Sequence, residues 1–73
     1  MPTQNIKNLD QTIRLLKKRR KELGITQTDL AKYCDLSRSG ISQIELGVKD
    51  IRFSTLVKIC KILGFKIQIQ WDD

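Results

Sequence analysis

The sequence predicts a single all-α domain of four to five short helices, followed by a short C-terminal β-strand. Apolar residues recur at helical spacing in four successive stretches, and residues that favour helix ends stand between them. After Gly64 apolar and polar residues alternate, as they do in a strand. A chain of 73 residues has room for one small core. We therefore divide it into a flexible arm at 1–7, a helical domain at 8–64 and a strand at 65–73.

The composition excludes several classes of protein. The chain has two cysteines and no histidine, which is too few ligands for a zinc site. It has no apolar run long enough to cross a membrane. Cys34 and Cys60 lie among apolar residues at helical spacing, which favours buried, reduced thiols over a disulfide, and no signal peptide indicates an oxidising compartment. We expect a soluble cytoplasmic protein without metal or cofactor.

The first helix is predicted to begin at a cap, Asn8 or Asp10, and to stop at Gly24. Its apolar stripe contains one charge, Arg20, which needs a partner or must reach solvent. The stripe consists of Leu9, Ile13, Leu16, Arg20 and Leu23.

The second helix is predicted to begin after Thr26, a good N-cap residue, and Asp29 three positions later suggests an approximate capping box. Leu30 and Cys34 lie one turn apart on the inner face. Asp35 follows in the turn, where aspartate tolerates the left-handed backbone conformation. The pattern predicts a short helix that ends in a tight turn.

The third helix is predicted to run from its cap, Ser37, to Gly47. At about 100° per residue its side chains divide into two opposite faces. The inner face holds Gly40, Ile41, Ile44 and Glu45, and the outer face holds Arg38, Ser39, Ser42 and Gln43. Gly40 indicates a place where a larger side chain is excluded, either by packing or by a nearby backbone.

A fourth helix is predicted to begin between Arg52 and Thr55 and to end before Gly64. Its apolar face is wider than a small core requires, so we expect part of it to contact a second subunit. The strand that follows would leave its backbone groups unpaired, and an identical strand across a two-fold axis would pair them. The residues predicted to dimerise the chain are Phe65, Ile67, Ile69 and Trp71.

The net charge is +6, from 14 basic and 8 acidic residues. Six cations crowd the first helix, at Arg14, Lys17, Lys18, Arg19, Arg20 and Lys21. Such a row is either a solvated helix face or a flank that attracts phosphate.

Two short helices joined by a tight turn, with a polar outer face on the second, are typical of a helix-turn-helix that reads the major groove of DNA. Arg38 can donate two hydrogen bonds to guanine, Gln43 can pair with adenine, and Gln27 is placed to bond a phosphate. The alternative is an ordinary solvated helix face. The residues predicted to contact DNA are Thr26, Gln27, Thr28, Arg38, Ser39, Ser42 and Gln43.

The motif resembles the Cro/repressor helix-turn-helix family, also called the XRE family, over roughly residues 9–64. The resemblance rests on Thr26-Gln27, Leu30-Ala31, Leu36-Ser37, Ile41-Ser42, Ile44-Glu45 and Gly47. It implies that Gln27 contacts phosphate and that Arg38, Ser39 and Gln43 face the bases. It also implies a structural ion pair between Arg20 and Glu45. Asp35 departs from the family, which usually has glycine in the turn.

The tail makes the chain similar to HipB-type antitoxins, whose C-terminal strands pair across a dimer and whose partners are HipA-type kinase toxins. The resemblance implies a homodimeric repressor of its own operon that binds a palindromic duplex DNA operator and acts as the antitoxin of a type II toxin–antitoxin module. The alternative is a stand-alone phage-type or small bacterial repressor without a toxin. An enzyme is not expected, because the sequence offers no nucleophile–base pair, metal cluster or phosphate-binding glycine loop.

Overall fold

The computed structural model describes residues 9–68, and the side chains from residue 10 onwards. Over this range the chain forms four helices and no strand: α1 at Leu9–Glu22, α2 at Gln27–Tyr33, α3 at Arg38–Glu45 and α4 at Phe53–Leu63. The all-α class is therefore confirmed for these residues. The predicted arm at 1–7 and the end of the predicted strand, with Ile69 and Trp71, lie outside them.

All four helices contribute to one core. α2 packs against α3, and α1 packs against α3 and α4, while α4 also contacts α2. Leu30, Ile41 and Leu63 are almost completely buried. The remaining buried apolar residues are Ile13, Leu16, Ala31, Cys34, Ile44, Ile59 and Cys60.

Both cysteines are free and buried, as predicted. Burial raises the pKa of the Cys34 thiol, and the charge of Lys58 only partly offsets this effect. Burial also raises the pKa of the Cys60 thiol. Both thiols therefore stay protonated at neutral pH and pack as small apolar groups.

Side-chain caps begin both helices of the motif. The Thr26 hydroxyl oxygen accepts a hydrogen bond from the Asp29 backbone N–H at 3.0 Å, and the Ser37 hydroxyl oxygen accepts one from the Gly40 backbone N–H at 3.0 Å. Each bond satisfies an amide that would otherwise lack a partner in the first helical turn. Between the two helices Asp35 adopts a positive φ of 55°, the left-handed conformation predicted for the turn.

α1 differs from the prediction at its C-terminal end. It ends at Glu22, one residue before Leu23, and the chain turns at once through Gly24. Leu23 is 43% exposed, so its assignment to the buried stripe was wrong. The Leu23 backbone N–H still donates to the Arg19 carbonyl at 3.0 Å, but the residue lies at the end of α1, where the core leaves its side chain partly uncovered. Ile13, Leu16 and Arg20 do form the buried stripe.

α4 has the predicted bounds, but it is buried unevenly. Its N-cap, Arg52, makes no side-chain capping bond, and Phe53 is 63% exposed. Gly64 ends the helix with a φ of 83°, and the Phe65 backbone N–H donates to the Cys60 carbonyl at 2.8 Å. The part of the predicted strand that the structure describes, 65–68, carries no strand pairing within this single chain.

Candidate nucleic-acid interface

The outer face of α3 is a polar surface that the rest of the domain leaves open. Arg38, Ser39 and Gln43 are exposed and Ser42 is half-buried, whereas Ile41 and Ile44 on the opposite face are buried. The capping bond at the start of α3 fixes its first turn, which carries Arg38 and Ser39. The predicted division into two faces is therefore present, with Ser42 at the boundary.

Gly40 lies on the inner side of this helix, next to its cap. A methyl group at Gly40 would come within 3.3 Å of the Ser37 hydroxyl oxygen and 3.9 Å of the Leu36 β-carbon. The first distance is shorter than ordinary van der Waals contact. A side chain at Gly40 would therefore require the hydroxyl that caps the helix to shift by a few tenths of an ångström.

The start of α2 lies beside the C-terminal end of α3. Thr26 and Thr28 are exposed, and Gln27 between them is half-buried. The Gln27 side-chain amide nitrogen, Nε2, donates a hydrogen bond to Glu45 Oε1 at 3.0 Å. The sequence did not predict this bond, since two polar residues 18 positions apart carry no periodic signal.

Arg20 and Glu45 form the ion pair that the resemblance implies. Arg20 Nε donates to Glu45 Oε2 at 2.7 Å, and Arg20 Nη2 donates to Glu45 Oε1 at 3.0 Å. Arg20 Nη1 donates to the Ile25 carbonyl at 2.8 Å. Only 9% of the Arg20 side chain and 7% of the Glu45 side chain are exposed. The guanidinium thus joins α1, the loop before α2, and α3.

The Glu45 carboxyl is ionised in this environment. Burial disfavours its charged form, but hydrogen bonds from Arg20 and Gln27, with the positive charges of Arg20 and Lys17, outweigh that effect. The pKa of Glu45 therefore lies below its ordinary value.

The cations of α1 do not share one role. Arg14, Lys18 and Lys21 are exposed. Arg20 is buried, and Arg19 Nε donates to the Leu63 carbonyl at the end of α4 at 3.2 Å. Of the six cations that crowd this segment, the structure leaves four as a surface row, the three exposed residues and the half-buried Lys17.

Comparison with known proteins identifies the family. The helix-turn-helix family model HTH_3 matches residues 16–70, which is most of the chain. The chain belongs to this helix-turn-helix family. It is an XRE-type DNA-binding regulator, and α2 and α3 are the two helices of its motif.

Solved structures agree with this assignment. A tyrosine-to-alanine variant of the restriction-modification controller protein C.Esp1396I is 36% identical, with a TM-score of 0.73, over 80% of this chain and 75% of that one. HipB in a HipA–HipB–O2–O3 complex is 25% identical, with a TM-score of 0.82, over 97% of this chain and 100% of that one. A HipB variant in complex with an O2 20mer has the same identity and TM-score, over 99% and 100%. No curated protein sequence matches the chain.

Neither a metal site nor a membrane-spanning helix is found among the residues that the structure describes. No group of three or more candidate ligands could hold a metal ion among residues 9–68. Within the same residues no helix is long and apolar enough to cross a membrane.

Proposed function

We propose that this helix-turn-helix protein is a sequence-specific repressor that acts as the antitoxin of a type II toxin–antitoxin module. It represses its own operon as a homodimer and binds a HipA-type kinase toxin. The observation that carries the DNA-reading part is the exposed outer face of α3. The observation that supports the antitoxin part is the match to HipB along almost the whole length of both chains.

The outer face of α3 supplies the base contacts. Arg38 donates to guanine, Gln43 pairs with adenine, and Ser39 and Ser42 bond bases or phosphates. At the start of α2, Thr26, Gln27 and Thr28 bond the DNA backbone, which sets the position of α3 in the groove. A bidentate base contact contributes about 1–3 kcal/mol of discrimination, so selectivity needs several contacts and two copies of the domain.

The homodimer is supported by the apolar residues that one chain leaves uncovered. Phe53 and Ile67 are 63% and 41% exposed, and both lie at or beyond α4. Pairing of the strands at 65–73 across a two-fold axis would cover this surface and set two α3 helices about 34 Å apart, one turn of DNA. Deleting residues 66–73 should then shift the sedimentation coefficient from dimer to monomer, and an unchanged dimer would place the interface elsewhere.

Arg38→Ala tests the reading face. Affinity for a duplex that the protein selects from a random pool should fall about 5- to 150-fold, while affinity for unselected DNA changes far less. The matched control is Lys61→Ala, which removes the same charge from an exposed position of α4, a helix that packs on α1 and α2. Equal losses on both duplexes would make Arg38 a phosphate contact.

The antitoxin part is tested in the native operon. We expect a kinase-like protein encoded beside this chain to co-purify with it, and the complex to lack the kinase activity that the separated partner shows. A lone gene with no co-purifying kinase would instead favour the alternative, a stand-alone repressor. The 36% identity to the restriction-modification controller protein supports that alternative, although the match covers less of both chains.

A further inference from the structure

The Glu45 carboxylate has more partners than an ion pair requires. Its two oxygens accept two hydrogen bonds from Arg20, and Oε1 accepts a third from Gln27 Nε2. Arg20 alone would satisfy the charge. The third bond therefore does something besides neutralise Glu45: it restrains a side chain at the first position of α2.

This bond fixes how the Gln27 amide is turned. An ionised carboxylate can only accept hydrogen bonds, so the NH₂ group of Gln27, and not its oxygen, must face Glu45. The NH₂ group has two hydrogens, and the bond uses one. The second N–H remains, and the half-buried side chain reaches the surface at the N-terminal end of α2. A phosphate group also only accepts, so this N–H suits it.

We infer that Glu45 is a positioning residue for DNA binding, which holds the Gln27 amide so that its second N–H meets a phosphate of the DNA backbone. Arg20, Glu45, Gln27 and the phosphate then form one chain of hydrogen bonds. The inference rests on the proposed phosphate contact of Gln27 and extends it to a buried residue that does not touch DNA.

The charges around the site favour such an arrangement. A carboxylate close to a phosphate would repel it, but Arg20 balances the charge of Glu45 at 2.7 Å. Lys17 adds a second positive charge, close enough to lower the pKa of Glu45. Because the amide is already oriented in the free protein, binding does not have to immobilise it. That advantage corresponds to about two- to tenfold in affinity.

A double-mutant cycle tests the inference, with the selected duplex described above as the probe. Glu45→Gln removes the charge that holds the Gln27 amide, and it should weaken binding about two- to tenfold in the otherwise unchanged protein. In the Gln27→Ala background the same substitution should have no effect on affinity. Glu22→Gln is the matched control, because it makes the same substitution at a surface carboxylate of α1, which pairs with Arg19 at 3.6 Å.

Affinities are compared at a temperature at which unfolding curves show every variant to be folded. If Glu45→Gln weakens binding equally with and without Gln27, the carboxylate acts only through stability, and the inference is wrong. If Glu22→Gln weakens binding as much as Glu45→Gln, the loss reflects only the change in net charge, and the inference is also wrong. If Gln27→Ala leaves affinity unchanged, the inference and the phosphate contact of Gln27 are wrong, while the proposed repressor function stands. If the protein selects no duplex, the proposed function fails with the inference.

The unaltered protein provides a second readout. In the NMR spectrum of the free protein the side-chain N–H proton of Gln27 that is bonded to Glu45 should shift as that carboxyl is protonated at low pH. Adding the duplex should move the other proton. Gln27 side-chain protons whose shifts respond to neither change would overturn the inference without any variant.

Discussion

The helix-turn-helix motif, residues 26–47, and the helix that follows it differ in how their helices begin. In the motif both helices begin at side-chain caps, and the last residue of α3, Glu45, is bound by two other side chains. In α4 the N-cap, Arg52, forms no side-chain cap, and Phe53 remains mostly exposed. Both regions bury apolar residues, but only the motif helices have their first turns fixed by side-chain hydrogen bonds.

The largest expected effect comes from breaking the ion pair of the motif. Glu45→Ala leaves the Arg20 guanidinium buried without its charge partner, which should lower the free energy of unfolding by about 3–5 kcal/mol in urea titrations. The ion pair between Arg19 and Glu22 offers a control in the same helix. This pair spans 3.6 Å at the surface, so Glu22→Ala should change stability by less than about 1 kcal/mol. Similar losses in the free energy of unfolding for both variants would show that the buried pair stabilises the fold no more than the exposed pair does.

A smaller loss of folding stability is expected when the pH is lowered. The pKa of Glu45 is lowered in the folded state, so its contribution to stability is complete above the ordinary glutamate value of 4.5 and is lost as pH falls through the lowered value. The loss is smaller than that from Glu45→Ala, because a protonated carboxyl keeps one acceptor oxygen. Urea midpoints measured between pH 6 and pH 3 should fall less in Glu45→Gln than in the unaltered protein. Parallel curves would show that other carboxyls dominate.

The smallest expected effect on stability distinguishes the start of α3 from the start of α4. Ser37→Ala removes the hydroxyl that accepts from the Gly40 N–H and should cost about 1 kcal/mol. Arg52→Ala removes no side-chain cap from α4 and should stay within about 0.5 kcal/mol. Thermal unfolding of the two variants side by side measures the difference. A larger loss for Arg52→Ala would mean that its side chain supports α4 in another way.

The sequence predicted those features of the fold that depend on residues close together in the chain. The caps at Thr26 and Ser37 and the left-handed Asp35 depend on residues within three positions of each other, and each was predicted. Leu23 was assigned to the wrong environment because the end of a helix shifts by a residue without changing the apolar period.

The polar network of the site was less accessible to sequence reasoning. The pairing of Arg20 with Glu45 followed only from family resemblance, since nothing in the spacing joins α1 to α3. The bond between Gln27 and Glu45 was missed altogether. Contacts between distant segments depend on how helices pack, and a single sequence does not encode that in its periodicity. The C-terminal strand remains a prediction, because its pairing would involve a second chain.

Arg20 and Glu45 form a buried ion pair, with 9% and 7% of their side chains exposed, and this separates two kinds of electrostatics in one small protein. Salt ions screen exposed charges strongly and buried pairs weakly. Rising ionic strength should therefore weaken the attraction between the surface cations and DNA while the Arg20 link inside the domain persists. Salt should thus release the domain from DNA without unfolding it.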